Sequence, residues 1–233
     1  MRKQVGLVTL AAAGLLALSA GAAGSGIGNG GFEAGGFSPW KTKHNGDGSW
    51  FVYEGTSSPL NGFPVAEPPE GDLAAVTDQD GPGSNILYQT IRLKGTSKIL
   101  SFTLYYTNLA TVDSSSAPIR RYGPSPRCAP SGGPKVGCSS AIFCSPKTLK
   151  LHDACNQQYR VDILREGADP LTTGGDVLRT LFQTHPGDDA ELPPTVMTFD
   201  LHGLPDRVIL RFAEVDNQFY FNAAVDDVHF GVT

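Results

Sequence analysis

The feature that most constrains the fold is the apolar segment at the end of the chain, residues 223–230. The side chains of a strand alternate between two faces, so Asp226, Val228 and Phe230 are predicted to share one face. Val228 and Phe230 mark that face as the core side, and Asp226 is therefore predicted to point inward. A buried carboxylate without a partner is costly, so Asp226 needs a cation or several backbone N–H groups.

A glycine-rich segment near the other end of the chain offers a partner for Asp226. It runs Asn-Gly-Gly-Phe-Glu over residues 29–33, and Trp40 follows shortly after it. Phe32 and Trp40 are predicted to lie in the core, and Glu33 directly follows the first of them. We therefore expect the two ends of one β-sandwich to meet around Glu33 and Asp226.

The chain as a whole has the pattern of an all-β protein. The 233 residues of the full sequence include 28 Gly and 17 Pro, and alternating runs recur between turn signals without long amphipathic helical patterns. This combination is typical of an antiparallel sandwich or barrel. The segment Asp78-Gln79-Asp80-Gly81 predicts a turn, because it lacks the further ligands of a calcium loop. No linker divides the chain, so one domain is predicted over residues 23–233.

The first 22 residues have the features of a signal peptide. Arg2 and Lys3 supply positive charge, residues 5–18 are apolar, and Ala20-Gly21-Ala22 is a small-residue cleavage site. The apolar run is shorter than the ~20 residues that a membrane span requires. We therefore expect a secreted protein, extracellular or periplasmic, with no membrane span in the mature chain.

Charge disfavours one class of partner. The net charge is −5, and Lys and Arg are not clustered along the sequence. Nucleic acid is therefore not expected as a partner.

All four cysteines fall in a segment rich in Ser, Pro and Gly, over residues 108–158. They are Cys128, Cys138, Cys144 and Cys155. In a secreted protein they are predicted to form disulfides that staple a long loop insertion, and three pairings are open. A zinc site is the alternative, but the close Cys pairs of such sites are missing.

The two terminal motifs, "NGGFEAGGFSPW" and "AAVDDVHF", resemble those of galactose-binding-domain-like jelly rolls. This group includes many carbohydrate-binding modules and related bacterial secreted domains. The resemblance covers residues 27–233 apart from the Cys-containing segment. It implies an antiparallel β-sandwich of jelly-roll type, while the ligand stays open because such folds host many functions.

The resemblance also implies a structural calcium ion that joins the chain ends. Similar carbohydrate-binding jelly rolls often hold such an ion away from the sugar. Carried over to this sequence, the motifs give Glu33 and Asp226 as ligands, with Asp72 as a possible third. Calcium takes six to eight oxygen ligands, so others would be needed. The alternative is that Asp226 accepts backbone N–H groups and Glu33 is solvated.

Sugar sites use aromatic rings as platforms and polar side chains to orient hydroxyls. Tyr88, Arg92 and Tyr105 share the outward phase of two predicted strands, and Arg211 has the outward phase of a third. Trp50 is either a further platform or a core residue. We predict these five residues as the ligand-binding group, with ordinary sheet surface as the alternative.

Catalysis has little support in the sequence. Five His are scattered without the spacing of a metal-binding motif, and no Gly-x-Ser-x-Gly occurs. The sequence therefore favours a non-catalytic binding protein whose ligand, by resemblance, is carbohydrate or a cell-surface glycan. One alternative is a structural or adhesive cell-surface protein that binds another protein. A hydrolase whose site forms only in three dimensions is a third.

Overall fold

The computed structural model describes residues 26–93, 98–113, 138–152 and 155–231. In these ranges it contains twelve strands and no α-helix. The strands are β1 Lys41–Gly46, β2 Ser49–Tyr53, β3 Ala74–Asp78, β4 Gly83–Arg92, β5 Ile99–Asn108, β6 Thr111–Asp113, β7 Cys138–Ala141, β8 Gln157–Arg165, β9 Val177–Gln183, β10 Glu191–Asp200, β11 Arg207–Asp216 and β12 Phe221–Phe230.

Ten of these strands form two five-stranded antiparallel sheets. Sheet A has the order β1-β4-β11-β8-β9, and sheet B has the order β10-β5-β12-β3-β2. Strands β6 and β7 pair separately with each other. The predicted antiparallel sandwich of jelly-roll type is thus confirmed. No helix in the described part of the chain is long and apolar enough to cross a membrane.

The main core lies between the two sheets and follows the two-residue period of the strands. Sheet A contributes Leu210 and Phe212 of β11, and sheet B contributes Phe102 and Leu104 of β5, all fully buried. Each such side chain contributes roughly 1.5–3 kcal/mol by leaving water. Trp40, also predicted as core, is buried 5.9 Å from the ring of Phe212.

The outer faces of both sheets are largely covered by loops, which the strand pattern did not predict. On sheet B, Val65 packs over Tyr105 and Ala224 in a second cluster. On sheet A, Leu149 and Leu151 pack over the outer side in a third cluster. Several strands are consequently buried on both faces, as in β3, where all five residues are buried.

A β-bulge in β12 changes the orientation of its acidic pair. The register shifts between Asp226 and His229, and Asp227 adopts a φ of 50°. Asp226 pairs with Thr103, which has the same phase as the outward-facing Tyr105, while Val228 lies in the main core. The prediction that Asp226 shares the inward face of Val228 and Phe230 is therefore wrong, because the extra residue reverses the alternation.

The Cys-containing insertion is described in part. Cys144 and Cys155 form a disulfide with a Cα–Cα distance of 5.7 Å, and the backbone of Cys144 pairs with Gln157 of β8. This bond confirms disulfide stapling for one pair. Cys128 lies outside the described residues, and Cys138 begins β7. The pairing of those two cysteines stays a prediction.

Candidate functional site

The predicted ligand-binding group does not come together in the folded chain. Tyr88 and Arg92 lie on β4 and Arg211 on β11, all in sheet A, whereas Tyr105 lies on β5 in sheet B. Outward-facing residues of the two sheets lie on opposite sides of the sandwich. The prediction that they line one groove is wrong, because the chain crosses between the sheets after β4 instead of forming a hairpin.

Trp50 belongs to the main core. Its side chain is almost fully buried, and its ring lies 6.3 Å from that of Tyr159. Its indole Nε1 has no hydrogen-bond partner among the described residues. Of the two interpretations open for Trp50, the structure selects the core position and leaves no aromatic face for a ligand.

Arg211 faces outward but is fully buried beneath the loop that follows β8. Its guanidinium pairs with Asp162 and donates hydrogen bonds to the carbonyls of Pro170 at 2.6 Å and Thr172 at 2.7 Å. Burial alone would raise the pKa of Asp162, but Arg160 and Arg211 together hold it below its ordinary value. Arg211 therefore fixes a loop on sheet A, and its side chain is not exposed at the surface.

A shallow depression on the outer face of sheet B is the best candidate for a ligand site. It encloses about 60 Å³. Strands β5, β10 and β12 form its floor and one side, and the loop between β2 and β3 forms the other. We call it the sheet B groove, defined by its lining residues Val65, Ala66, Tyr105, Tyr106, Thr107, Glu191, Leu192, Pro193, Pro194 and Asn222.

Two polar groups mark the floor of the sheet B groove. The hydroxyl of Tyr105 lies 2.6 Å from that of Tyr53, which donates to the carbonyl of Ala66 at 2.6 Å. Burial raises the pKa of both hydroxyls above the ordinary value, so both stay neutral. The amide of Asn222 donates to the carbonyl of Thr77 at 2.8 Å, but its Oδ1 has no hydrogen-bond partner among the described residues.

The rim on the β10 side is exposed and irregular. Pro193 and Pro194 are exposed, and the β10–β5 register shifts between Leu192 and Thr195. Val196, further along β10, has 61% of its surface exposed. This rim was not predicted from the sequence, although proline inside an apolar strand indicates an edge strand or a bulge.

The segments around Glu33 and Asp226 lie on the same side of the sandwich, as predicted. The loop between β2 and β3 contacts both of them. Asp226 Oδ2 accepts the backbone N–H of Glu70 at 3.0 Å. Glu33 Oε1 accepts the backbone N–H groups of Asp72 at 3.0 Å and Leu73 at 2.9 Å. Both carboxylates thus hold the segment that leads from the groove wall into β3, and Asp72 takes part through its backbone.

Negative charge is concentrated where the chain ends meet. Burial raises the pKa of Asp226 to about 7, and the charges of Glu70 and Asp227 act in the same direction against two backbone hydrogen bonds. The pKa of Glu70 is also raised, first by burial and then by Asp227 and Glu33. No Lys or Arg of the described chain forms an ion pair with Glu33, Glu70 or Asp226.

The described residues contain no group of three or more His, Cys, Asp or Glu side chains arranged to hold a metal ion. Asp226 makes the backbone contacts that were its alternative to calcium. Glu33, for which solvation was the alternative, also accepts backbone N–H groups. The side chain of Asp72 is exposed. The calcium ion inferred from the resemblance therefore stays a prediction.

No protein-family model matches the sequence, and no curated protein matches it. Among solved structures, the chain is similar to TmCBM61 in complex with beta-1,4-galactotriose, at 12% identity, 88% and 96% coverage of the two chains and a TM-score of 0.46. It is also similar to the K1 cleaved adhesin domain of Lys-gingipain from Porphyromonas gingivalis W83, at 12% identity, 83% and 90% coverage and a TM-score of 0.42. A carbohydrate-binding module is thus among the solved structures to which this chain is similar.

Proposed function

We propose that this protein is a secreted, non-catalytic carbohydrate-binding protein whose ligand lies in the sheet B groove. The supporting observation is the unpaired Oδ1 of Asn222, which belongs to a side chain that is only 2% exposed and lines the groove. A buried polar atom without a partner costs about 1–3 kcal/mol. A ligand hydroxyl that donates to this oxygen, after a small opening of the floor, would remove that cost.

The other lining groups suit a sugar. The exposed prolines of the rim offer apolar surface, while Thr107 and Glu191 offer oxygen atoms at the edge. Sugars combine apolar ring faces with hydroxyls, and sites for them combine the same two kinds of surface. The depression of about 60 Å³ is too small to enclose a sugar ring, so the ligand would lie along it with one side in solvent.

A structural calcium ion at the meeting point of the chain ends belongs to the same proposal. Glu33 and Asp226 would be its carboxylate ligands, with Asp72 as the further candidate, and Glu70 lies beside them. Burial is the main cause of the raised pKa values of Asp226 and Glu70, and repulsion from neighbouring carboxylates adds to it. A bound cation would offset both effects. The ion would lock the loop that forms one wall of the groove.

Binding of soluble oligosaccharides to the mature protein tests the proposal, and galacto-oligosaccharides are the first probes to try. Thr107→Trp would place a large ring in the sheet B groove and is expected to weaken binding at least tenfold, which corresponds to roughly 1.4 kcal/mol. Thr90→Trp is the matched control, since Thr90 is exposed on sheet A. Equal affinities of the two variants, both folded by circular dichroism, would place the ligand elsewhere.

A further inference from the structure

The loop between β2 and β3 has a tip, residues 58–63, that is held in place by one buried carboxylate. Asp78 is fully buried, and its Oδ2 accepts the backbone N–H groups of Leu60 at 2.6 Å and Asn61 at 3.0 Å. Its Oδ1 accepts the side-chain amide of Asn61 at 2.7 Å. Within the tip, Ser58 and Phe63 exchange hydrogen bonds in both directions. The turn motif found in the sequence thus fixes the conformation of another loop.

This rigid tip presents apolar side chains to solvent. Leu60 is 50% exposed, and Phe63 is half-buried. The ring of Phe63 lies 4.8 Å from that of Tyr220, which in turn lies 4.6 Å from that of Phe219. The partly exposed rings of Phe63 and Tyr220 therefore form an aromatic surface at the end of the sandwich that carries the β1–β2 and β3–β4 turns.

Acidic side chains surround this aromatic surface. Asp47 in the β1–β2 turn and Asp80 in the β3–β4 turn are both exposed. Burial raises the pKa of Tyr220, and then Asp80, Asp78, Asp216 and Asp47 raise it further. The surface thus combines aromatic faces with a negative potential.

We propose that Phe63 and Tyr220, with Asp47 and Asp80, form a second carbohydrate site for sugar units that carry a protonated amine. An ammonium group is attracted to an aromatic face, most strongly when carboxylates lie nearby. The apolar face of the same sugar can pack on the second ring. A neutral glycan would gain nothing from the acidic groups, so charge complementarity selects the amino sugar.

This site is independent of the sheet B groove, since the two share no lining residue. Calorimetric titration of the mature protein with glucosamine oligomers, at mildly acidic pH and low salt, measures it directly. The matched probe is the N-acetylated oligomer of the same length, which lacks the charge. We expect at least tenfold tighter binding of the free-amine oligomer, and weaker binding as salt is raised.

Variants assign this binding to named residues. Tyr220→Ala and Phe63→Ala are each expected to weaken binding of the glucosamine oligomer about tenfold. Asp80→Asn should weaken it several-fold, whereas Asp206→Asn, an exposed carboxylate at the opposite end of β11, should not. Thr107→Trp should leave it intact, which separates this site from the sheet B groove.

Several results would overturn the proposal. No measurable binding of the glucosamine oligomer would do so, as would equal affinity for the N-acetylated oligomer. An unchanged affinity in Asp80→Asn and in both aromatic variants, each shown to be folded, would place the amine elsewhere. Phe63-dependent binding of an oligolysine peptide without binding of the sugar would assign the surface to a protein partner instead.

Discussion

Glu214 shows how a single residue can make stability depend on pH. It lies between the sheets, two positions after the core residue Phe212, and its side chain is fully buried. Asn85 donates to its Oε2 at 2.9 Å, while its Oε1 has no hydrogen-bond partner in the described chain. Burial, and then the charge of Asp216, raises the pKa of Glu214 well above the ordinary value of 4.5.

The raised pKa of Glu214 determines how the free energy of unfolding changes with pH. The folded state keeps the proton of Glu214 over a pH range in which the unfolded chain has lost it. The contribution to the free energy of unfolding is therefore complete below the unfolded pKa and is lost as the pH rises toward the folded pKa. Glu214→Gln keeps an acceptor for Asn85 and removes the titration.

We predict that Glu214→Gln raises the free energy of unfolding at pH 7 by roughly 2 kcal/mol and flattens its fall between mildly acidic and neutral pH. Urea unfolding at several pH values measures both effects. Glu54→Gln, at an exposed position, serves as the control and should follow the wild type. A Glu214→Gln variant with the pH profile of the wild type would show that Glu214 ionises freely in the folded state.

Among structural elements, the disulfide of the insertion holds the segment that covers the outer face of sheet A. The bond between Cys144 and Cys155 closes the segment before β8. Asn156, the residue after this closed segment, donates to the carbonyls of Thr148 and Lys150 inside it. Leu149 and Leu151 of the same segment cover the outer face of sheet A. The disulfide therefore stabilises the position of these two leucines on sheet A as well as the folded state of the whole domain.

The double variant Cys144→Ser/Cys155→Ser is expected to lose about 2–3 kcal/mol of unfolding free energy, on the chain-entropy model for a loop of this length. Denaturant titration measures the loss, and reduction of the wild type should lower its stability in the same direction. A variant with the same denaturation midpoint as the wild type would contradict this prediction.

Strand alternation predicted much of the core but not which strands become neighbours. The runs containing Leu87 and Phe102 were predicted as strands, and both side chains are fully buried. Pairing is a long-range property, so the alternation could not tell that β4 and β5 belong to different sheets. The predicted ligand group failed for this reason, since Tyr88 and Tyr105 have the correct phase on opposite sides of the molecule.

Coverage of a strand by a loop and the position of a β-bulge were also not predictable from the local sequence pattern. Alternation shows which side chains leave the main core, but not whether a loop covers them, so Arg211 and Tyr105 were expected at the surface. A bulge shifts the phase by one residue without a clear sequence signal, so Asp226 was assigned to the wrong face. Its need for backbone N–H groups or a cation was nevertheless derived correctly from the cost of a buried charge.

At the scale of the whole molecule, the meeting of the chain ends links stability to calcium. We predict that excess calcium, at about 100 times its dissociation constant, stabilises the fold by roughly 2.7 kcal/mol. Without the ion, the pKa of Asp226 is raised from its ordinary 3.8 to about 7. The stability that this shift contributes is complete below pH 3.8 and is lost as the pH rises to about 7. The calcium effect should therefore grow as the pH rises toward 7.

Thermal unfolding with calcium or with a chelator measures this effect. Asp226→Asn is expected to remove most of the difference in melting temperature. Asp227→Asn is the control, because Asn tolerates the positive φ at this position. A melting temperature that is the same with chelator and with calcium, in protein shown to be metal-free, would exclude the ion and leave Asp226 as a hydrogen-bond acceptor.

The most direct test of the central claim is a map of the bound glycan by backbone NMR. The protein is titrated with an oligosaccharide that binds it, and shift changes are followed for every assigned amide. If the sheet B groove is the site, the largest changes will fall at Tyr105, Thr107 and Asn222. Changes concentrated at Tyr88 and Arg92, on the outer face of sheet A, would contradict it.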